Sequence, residues 1–479
     1  MRICLAAFLL ALPLVAQGPA VKAVLKVDAP VVALTHVRVI DGTGAVPKDD
    51  QTLILRGGRI EAIGPAAATA IPPGAQTLDL QGHSVLPGLV GMHNHLFYTH
   101  SIPTAPAGQG TPGMIFAEIA YTAPRLYLAF GVTTIRTTGS VEPYADLNTK
   151  RQIEAGLLPG PDMEVTGPYL EGLEPQVPQM HGLRSPEEAK RFVDFWADMG
   201  VTSFKAYMNI SRAELGAAIT AAHARGLKVT GHLASVTWRE AAALGIDNFE
   251  HGPVYSASDF ATGKQPDKQP APGTLRGSWL KLDPNGPEVT TFIRELVARK
   301  VAVTSTLPVF ELGVPGRPPV SPRMLEAMSA ESRGSYLAAR ARVPITAGSD
   351  AEKLLKREMA FELAFVKAGG LLLAGPDPTG SGGVLPGFGD HRELELLVEA
   401  GFTPLEAITI ATRNGAAFLG RLDQIGTLTP GKRADLVVVK GDPSTRIQDI
   451  GQIVTVFKAG LGYDPQKLLD AVRGQVGIR

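Results

Sequence analysis

His93-Asn94-His95, Lys205, His232, His251 and Asp377 follow one another along the chain as two histidines one residue apart, a lysine, two more histidines and an aspartate. Imidazoles and carboxylates are ligands for borderline divalent cations, and an aspartate beside such an ion can also carry a proton. The lysine is the odd member, because an ammonium repels metal ions. Once it loses its proton and adds carbon dioxide it becomes a carbamate, an oxygen donor able to bridge two cations. Burial among histidines favours the neutral amine that this reaction needs. The series therefore reads as a ligand set for two divalent metal ions, and the chemistry it points to is hydrolysis.

Such side chains converge only if regular elements bring them together. Residues two apart on a strand share a face, so His93 and His95 can reach one ion. His232 ends the run Lys228-Val229-Thr230-Gly231, and His251 ends Asp247-Asn248-Phe249-Glu250. Eight strand-like runs, at 89–95, 132–136, 163–167, 201–207, 227–233, 248–252, 301–307 and 371–377, are interleaved with segments of helical spacing. Clear helical segments are 186–199, 212–225, 288–299, 352–367 and 404–419. This alternation predicts an α/β fold, a (β/α)8 TIM-like barrel over 84–421 with its reactive groups at the C-terminal strand tips.

Two aspartates compete for the last ligand position. A strand ending at Asp350 would leave 371–374 as a ninth strand with no place in the barrel, so Asp377 is chosen and Asp350 is read as the cap of a helix starting near Glu352. Tyr207, two residues past Lys205 on the same face, is placed to orient a scissile carbonyl. Tyr98, His100, Arg136, His181 and His391 are candidates to bind a substrate carboxylate. The stretches 253–287 and 308–323, crowded with proline, glycine and charge, read as long loops over the mouth.

Short β-branched runs fill 29–83, with hairpin chemistry at Gly57-Gly58, and recur in 426–439. They predict a small β-sandwich built from both ends, 29–83 and 422–465. The first residues, basic Arg2 followed by an apolar run to small residues, predict a signal peptide over 1–18. Its apolar run is too short for a spanning helix, so an exported protein of a bacterial periplasm or medium is expected, without stable membrane insertion. The single cysteine, Cys4, lies inside that segment. With 46 basic and 46 acidic residues there is no whole-chain field to recruit nucleic acid, and a small-molecule substrate fits better. A homo-oligomer is expected.

Pro87-Gly88-Leu89-Val90-Gly91-Met92-His93-Asn94-His95, Gly131–Arg136, Thr403–Ile408 with Ala411–Ala417, and Gly426–Val439 together resemble the amidohydrolase superfamily. The likeness is to its imidazolonepropionase-like and prolidase-like branch, whose binuclear members use a carboxylated lysine. The resemblance implies that His93 and His95 bind a buried metal, His232 and His251 a more exposed one, carboxylated Lys205 bridges them, and Asp377 touches the first ion and the water. It implies two ions, zinc being favoured by mixed nitrogen and oxygen ligands. The implied reaction is cleavage of an amide or peptide-like C–N bond, in a dipeptide, an Xaa-Pro peptide or an N-acyl or aryl-amide amino acid, by a metal-bridging hydroxide. Alternatives are a cyclic-amide hydrolase or deaminase of the same fold, and a catalytically silent ligand-binding barrel. Two positions depart from the family pattern: Gly91 stands where an aspartate is common before the HxH, and Pro376 where a threonine is common before the last aspartate.

Overall fold

The structure is a computed structural model that describes residues 17–102, 113–343 and 346–478, apart from 174, 176, 347 and 381. Nearly all of the expected signal peptide lies outside the described residues.

All eight predicted strands form and run parallel, and they are numbered here in chain order. They are β1 (Leu89–Asn94), β2 (Val132–Thr137), β3 (Asp162–Glu164), β4 (Ser203–Ala206), β5 (Lys228–Gly231), β6 (Asn248–Glu250), β7 (Ala302–Ser305) and β8 (Leu372–Ala374). They group as a three-stranded sheet, β3-β2-β1, and a five-stranded sheet, β4-β5-β6-β7-β8. Most of their residues are buried on both faces, as parallel strands covered by helices require. Backbone bonds cross both seams. Thr202 N–H donates to Val165 C=O at 2.8 Å and Gly167 N–H to Ser203 C=O at 2.9 Å; on the other side Asp377 N–H donates to His93 C=O at 3.1 Å.

The helices follow their apolar spacing and caps. Ser185 caps Pro186–Met199, Ser211 and Glu214 make a reciprocal capping box for Arg212–Ala224, and Thr403 with Glu406 does the same for Pro404–Thr409. One cap is corrected. The helix after β7 runs Asp350–Lys367 and its N-cap is Ser349, whose hydroxyl accepts from Glu352 N–H; Asp350 is an exposed first-turn residue paired with Lys353. Serine and aspartate are near-equal N-caps, so the sequence alone does not separate neighbours at 349 and 350. The loop regions after β6 and β7 carry short helices, Pro253–Ser256, Thr274–Trp279, Leu307–Glu311 and Pro322–Ala327, followed by the unforeseen Ala330–Ala341. An unforeseen antiparallel hairpin, Phe97–Ile102 with Gly113–Glu118, stands directly after β1.

The two ends of the chain share one nine-stranded sheet. Its central join is antiparallel pairing of His83–Pro87 with Leu436–Lys440, and the Gly57-Gly58 turn links Lys48–Arg56 to Arg59–Pro65 as expected. Hydrogen bonding runs continuously through these strands. Val32, Leu34, Leu53, Val85, Leu436 and Phe457, from five strands, pack in a single apolar cluster.

This sheet is tied to the N-terminal end of β3, away from the strand tips that carry the histidines. Asp162 receives Arg421 at 2.8 Å, Lys458 at 2.8 Å, and Arg433. Burial works against its charge, but Lys458 and Arg433 outweigh it and hold the carboxyl well below the ordinary range. A depressed carboxylate stabilises fully above its unfolded value, about 3.9, and less as pH falls through the folded one. Asp162→Asn is therefore expected to cost about 2 kcal/mol at neutral pH, with the melting curves of variant and wild type converging in acid.

Candidate metal centre

Strand β1 delivers His93 and His95 to the mouth. His95 N–H donates to the Tyr127 hydroxyl at 3.2 Å and that hydroxyl donates to His95 C=O at 2.8 Å, which fixes the backbone just past the strand. The His93 and His95 rings lie 5.3 Å apart, edge to face. His251 comes within 4.6 Å of the His93 ring, and His232 within 4.4 Å of His251, all centroid to centroid. Lys205 Nζ reaches His93 Nε2 at 3.3 Å. Asp377 Oδ1 stands 3.3 Å from His95 Nε2 and 3.6 Å from His93 Nε2, and Oδ2 stands 3.7 Å from His251 Nδ1. All six expected ligand residues thus meet at one mouth, and Asp377, not Asp350, closes the group.

Two of them sit in strained backbone. His251 has φ +74° and Asp377 φ +50°, left-handed values unusual outside glycine, and such strain collects at functional sites. Gly375 permits the close approach of β8 to β1, since a Cβ there would lie 2.2 Å from His93 N.

The ring orientations are set from below. Glu250, fully buried, takes His93 Nδ1 at 2.8 Å on one oxygen and Arg136 Nη2 at 2.7 Å on the other, with the Thr230 hydroxyl as a third donor. Burial raises this carboxyl, but Arg136 and His93 overcome it and bring it down to about 2. An ionised carboxylate only accepts, so Nδ1 of His93 carries the proton and Nε2 faces the mouth with a free lone pair.

Burial pushes all four imidazoles down, with the charge of Lys205 or a neighbouring histidine adding to it: His95 to about 4, His232 to about 3, His93 and His251 also lowered. Neutral imidazoles are ligands. Burial likewise lowers Lys205 to about 8, against the pull of Glu250 and Asp377. Its Nζ sits 5.4 Å from the Tyr169 ring and 5.7 Å from the Tyr207 ring. Burial opposes ionisation of Asp377, yet His93, His95 and His251 hold it well below the usual carboxylate range. His93, His95 and Asp377 offer ligand atoms within 4.8 Å of one another, and His95 Nδ1 is buried without a partner among the described residues. This donor set fits a divalent cation.

Tyr207 is half-buried at the rim, its ring 5.3 Å from His232. The expected carboxylate binders fare differently. Arg136 is a correction: its guanidinium is buried and bonded to Met92 C=O, Asn248 and Glu250, so it serves a carboxylate of the protein itself. His391 is a second correction, buried on the helix Phe388–Glu399 with Nε2 against Phe130 C=O at 2.8 Å. His181 is a third, exposed and paired with Glu188 at 2.9 Å. Tyr98 is buried with its hydroxyl against Gly382, and His100 sits farther along the hairpin opposite Ile115; neither joins the cluster through a described contact. Sequence reasoning missed Glu250, Asn248 and Thr230. The available signal was their placement on β5 and β6, at the residues just before His232 and His251.

The departure at Gly91 is explained. A Cβ at that position would fall 1.8 Å from Asn94 Nδ2 and 3.1 Å from Asp390 Oδ1, so the space a side chain would need is taken by an Asn94–Asp390 pair.

The sequence matches the profile of the Amidohydrolase family over residues 84–264 and 292–461. The chain belongs to the amidohydrolase family. The chain is 58% identical over 40 residues to an imidazolonepropionase of Porphyromonas gingivalis, 8% of this chain and 10% of that protein, and 53% identical over 38 residues to an imidazolonepropionase of Parabacteroides distasonis, 8% and 9%. The match thus spans about a tenth of those relatives' length. Among solved structures, a Bifidobacterium longum protein assigned as a prolidase is similar with TM-score 0.64 and 25% identity, over 92% of this chain and 98% of that one. A Xaa-Pro dipeptidase with bound methionine gives 0.65 and 19%, over 91% and 100%. Bottromycin amidohydrolase gives 0.68 and 21%, over 95% and 94%. These folds imply a TIM-like barrel with an additional domain.

Because Glu250 fixes the tautomer of His93, Glu250→Gln is expected to weaken metal binding by about 10- to 100-fold, measured by competition against a chelating dye.

Proposed function

We propose that the protein is a binuclear, metal-dependent hydrolase that cleaves an amide or peptide-like C–N bond of a small molecule, with the eight strands closed as a (β/α)8 barrel. The single observation that carries this reading is the convergence of His93, His95, Lys205, His232, His251 and Asp377 at one set of strand tips. Family membership and the prolidase-like and amidohydrolase folds agree with it.

His93, His95 and Asp377 would hold one ion, His232 and His251 the other, and a carbamate on Lys205 would bridge them. Zinc suits these nitrogen and oxygen donors. Such ions supply an activated water and polarise a carbonyl. The chain does the rest. Asp377, ionised and facing the cluster, would accept the proton of the attacking water and return it to the leaving nitrogen. The Tyr207 hydroxyl, kept protonated because burial raises its pKa, would donate to the substrate carbonyl from the rim. The burial that lowers the Lys205 amine would favour the neutral form that takes up carbon dioxide. The substrates that fit are dipeptides, Xaa-Pro peptides and N-acyl or aryl-amide amino acids. The basic-then-apolar segment at 1–18 supports export to the periplasm or medium; among the described residues no helix is long and apolar enough to cross a membrane.

Metal-replete protein screened against dipeptides and N-acyl amino acids should release the amine product. Lys205→Ala should lower kcat by at least about 1000-fold and reduce bound metal per chain in elemental analysis. Full activity and metal content in that variant would remove the carbamate, and turnover of lactones or cyclic ureas but of no linear amide would overturn the substrate class.

A further inference from the structure

Glu171 follows β3 and takes no part in the cluster described above. Leu170 forms a parallel bridge with Ala206, and its N–H donates to Lys205 C=O at 2.8 Å while its C=O accepts from Tyr207 N–H at 2.9 Å. Paired residues in parallel strands point to the same face, and faces alternate. Leu170 and Ala206 both belong to the apolar core under the helices, so Tyr169 and Lys205 face the mouth together, as their 5.4 Å contact shows. Glu171 and Tyr207 form the next rung on that same face.

The Glu171 side chain is 0% exposed. One oxygen, Oε1, accepts from Gly172 N–H at 2.8 Å and from Asn209 N–H at 2.6 Å. The other, Oε2, is buried and has no hydrogen-bond partner among the described residues. A buried carboxyl with an idle oxygen is costly, and none of the described residues uses that oxygen. Burial pushes the carboxyl up to about 7, against the two backbone N–H bonds and with the charge of Glu214 adding to it.

We propose that Glu171 Oε2 binds the free ammonium group of the substrate, so that the enzyme prefers peptides with an unblocked α-amine over N-acylated ones. The proposal rests on the amide-hydrolase reading above. Glu171 lies near enough to Tyr207 for its charge to help raise that hydroxyl. Tyr207 on the same rung would hold the carbonyl oxygen while Glu171 holds the amine, and together they would fix the scissile carbonyl in front of Asp377. Glu171 would be a specificity residue touching substrate; it moves no proton.

Glu171→Gln tests this, because the amide oxygen still accepts both backbone N–H groups and only the charge is removed. With metal-replete full-length protein, Leu-Pro and N-acetyl-Leu-Pro are compared by kcat/KM. The wild type should favour Leu-Pro by about 10- to 100-fold, the worth of one charge-assisted hydrogen bond. Glu171→Gln should bring the ratio near unity through KM for Leu-Pro, with its melting temperature unchanged. Equal wild-type rates for both peptides, or an equal loss on both in the variant, would overturn the proposal. If neither peptide is cleaved, the hydrolase reading is judged by the wider amide screen, and calorimetry decides the subsite: leucine binding to wild type that is lost in Glu171→Gln, with N-acetyl-leucine binding neither, supports it, and no difference between the two proteins refutes it.

Discussion

The site hangs on one buried ionised side chain. Glu250 at the tip of β6 is satisfied only when His93 of β1, Arg136 of β2 and Thr230 of β5 all point at it. Arg136 in turn bonds Met92 C=O and Asn248. Four strands therefore share one buried polar knot, and an orphaned charge there would cost several kcal/mol. The knot also acts on register. A shift of one residue in any strand turns its inward side chains toward the helices, so the arrangement that satisfies Glu250 is also the arrangement that aims His93 Nε2, Lys205 and His232 at the mouth.

This explains why the clustered side chains were legible in the sequence and their support was not. His93, His95, Lys205, His232 and His251 announce themselves by residue type and by their place at the ends of β-branched runs, and the period of two assigns their face. The supporting contacts depend on which strands become neighbours. Arg136 and Glu250 are separated by 114 residues, and Arg136, taken alone, has the chemistry of a carboxylate binder; it does bind a carboxylate, but one belonging to the protein. His391 and His181 were misread for the same reason, since an isolated histidine gives no sign of whether it will meet a backbone carbonyl or a surface glutamate. The terminal sheet shows the limit in another form. That the two ends would pair was legible in their β-branched runs, whereas the partners and register, such as His83–Pro87 against Leu436–Lys440, are long-range events carried by shared apolar packing.

The local rules fail again at the strand tips, and the failures are informative. His251 and Asp377 take left-handed backbone that propensity would assign to glycine, and the seam bond from Asp377 N–H to His93 C=O holds one of them there. Gly91 and Gly375 do the opposite work, removing side chains so that Asn94 and β8 can close on β1. Stability is spent at these four positions to fix the distances among the ligands.

The same burial governs the charge state. Burial neutralises all four imidazoles and brings Lys205 down to about 8, while Asp377 stays ionised. Glu250 is already matched by Arg136, so Asp377 is left as the one uncompensated anion among the ligands. As an ammonium, Lys205 would cancel it and the mouth would have no net attraction for cations. As a carbamate, Lys205 would add a second negative ligand without any change in fold, and the mouth would become a place where two divalent ions lower the energy. In this reading the lysine is the component whose chemistry decides whether the other five ligands amount to a packed polar core or to a metal centre.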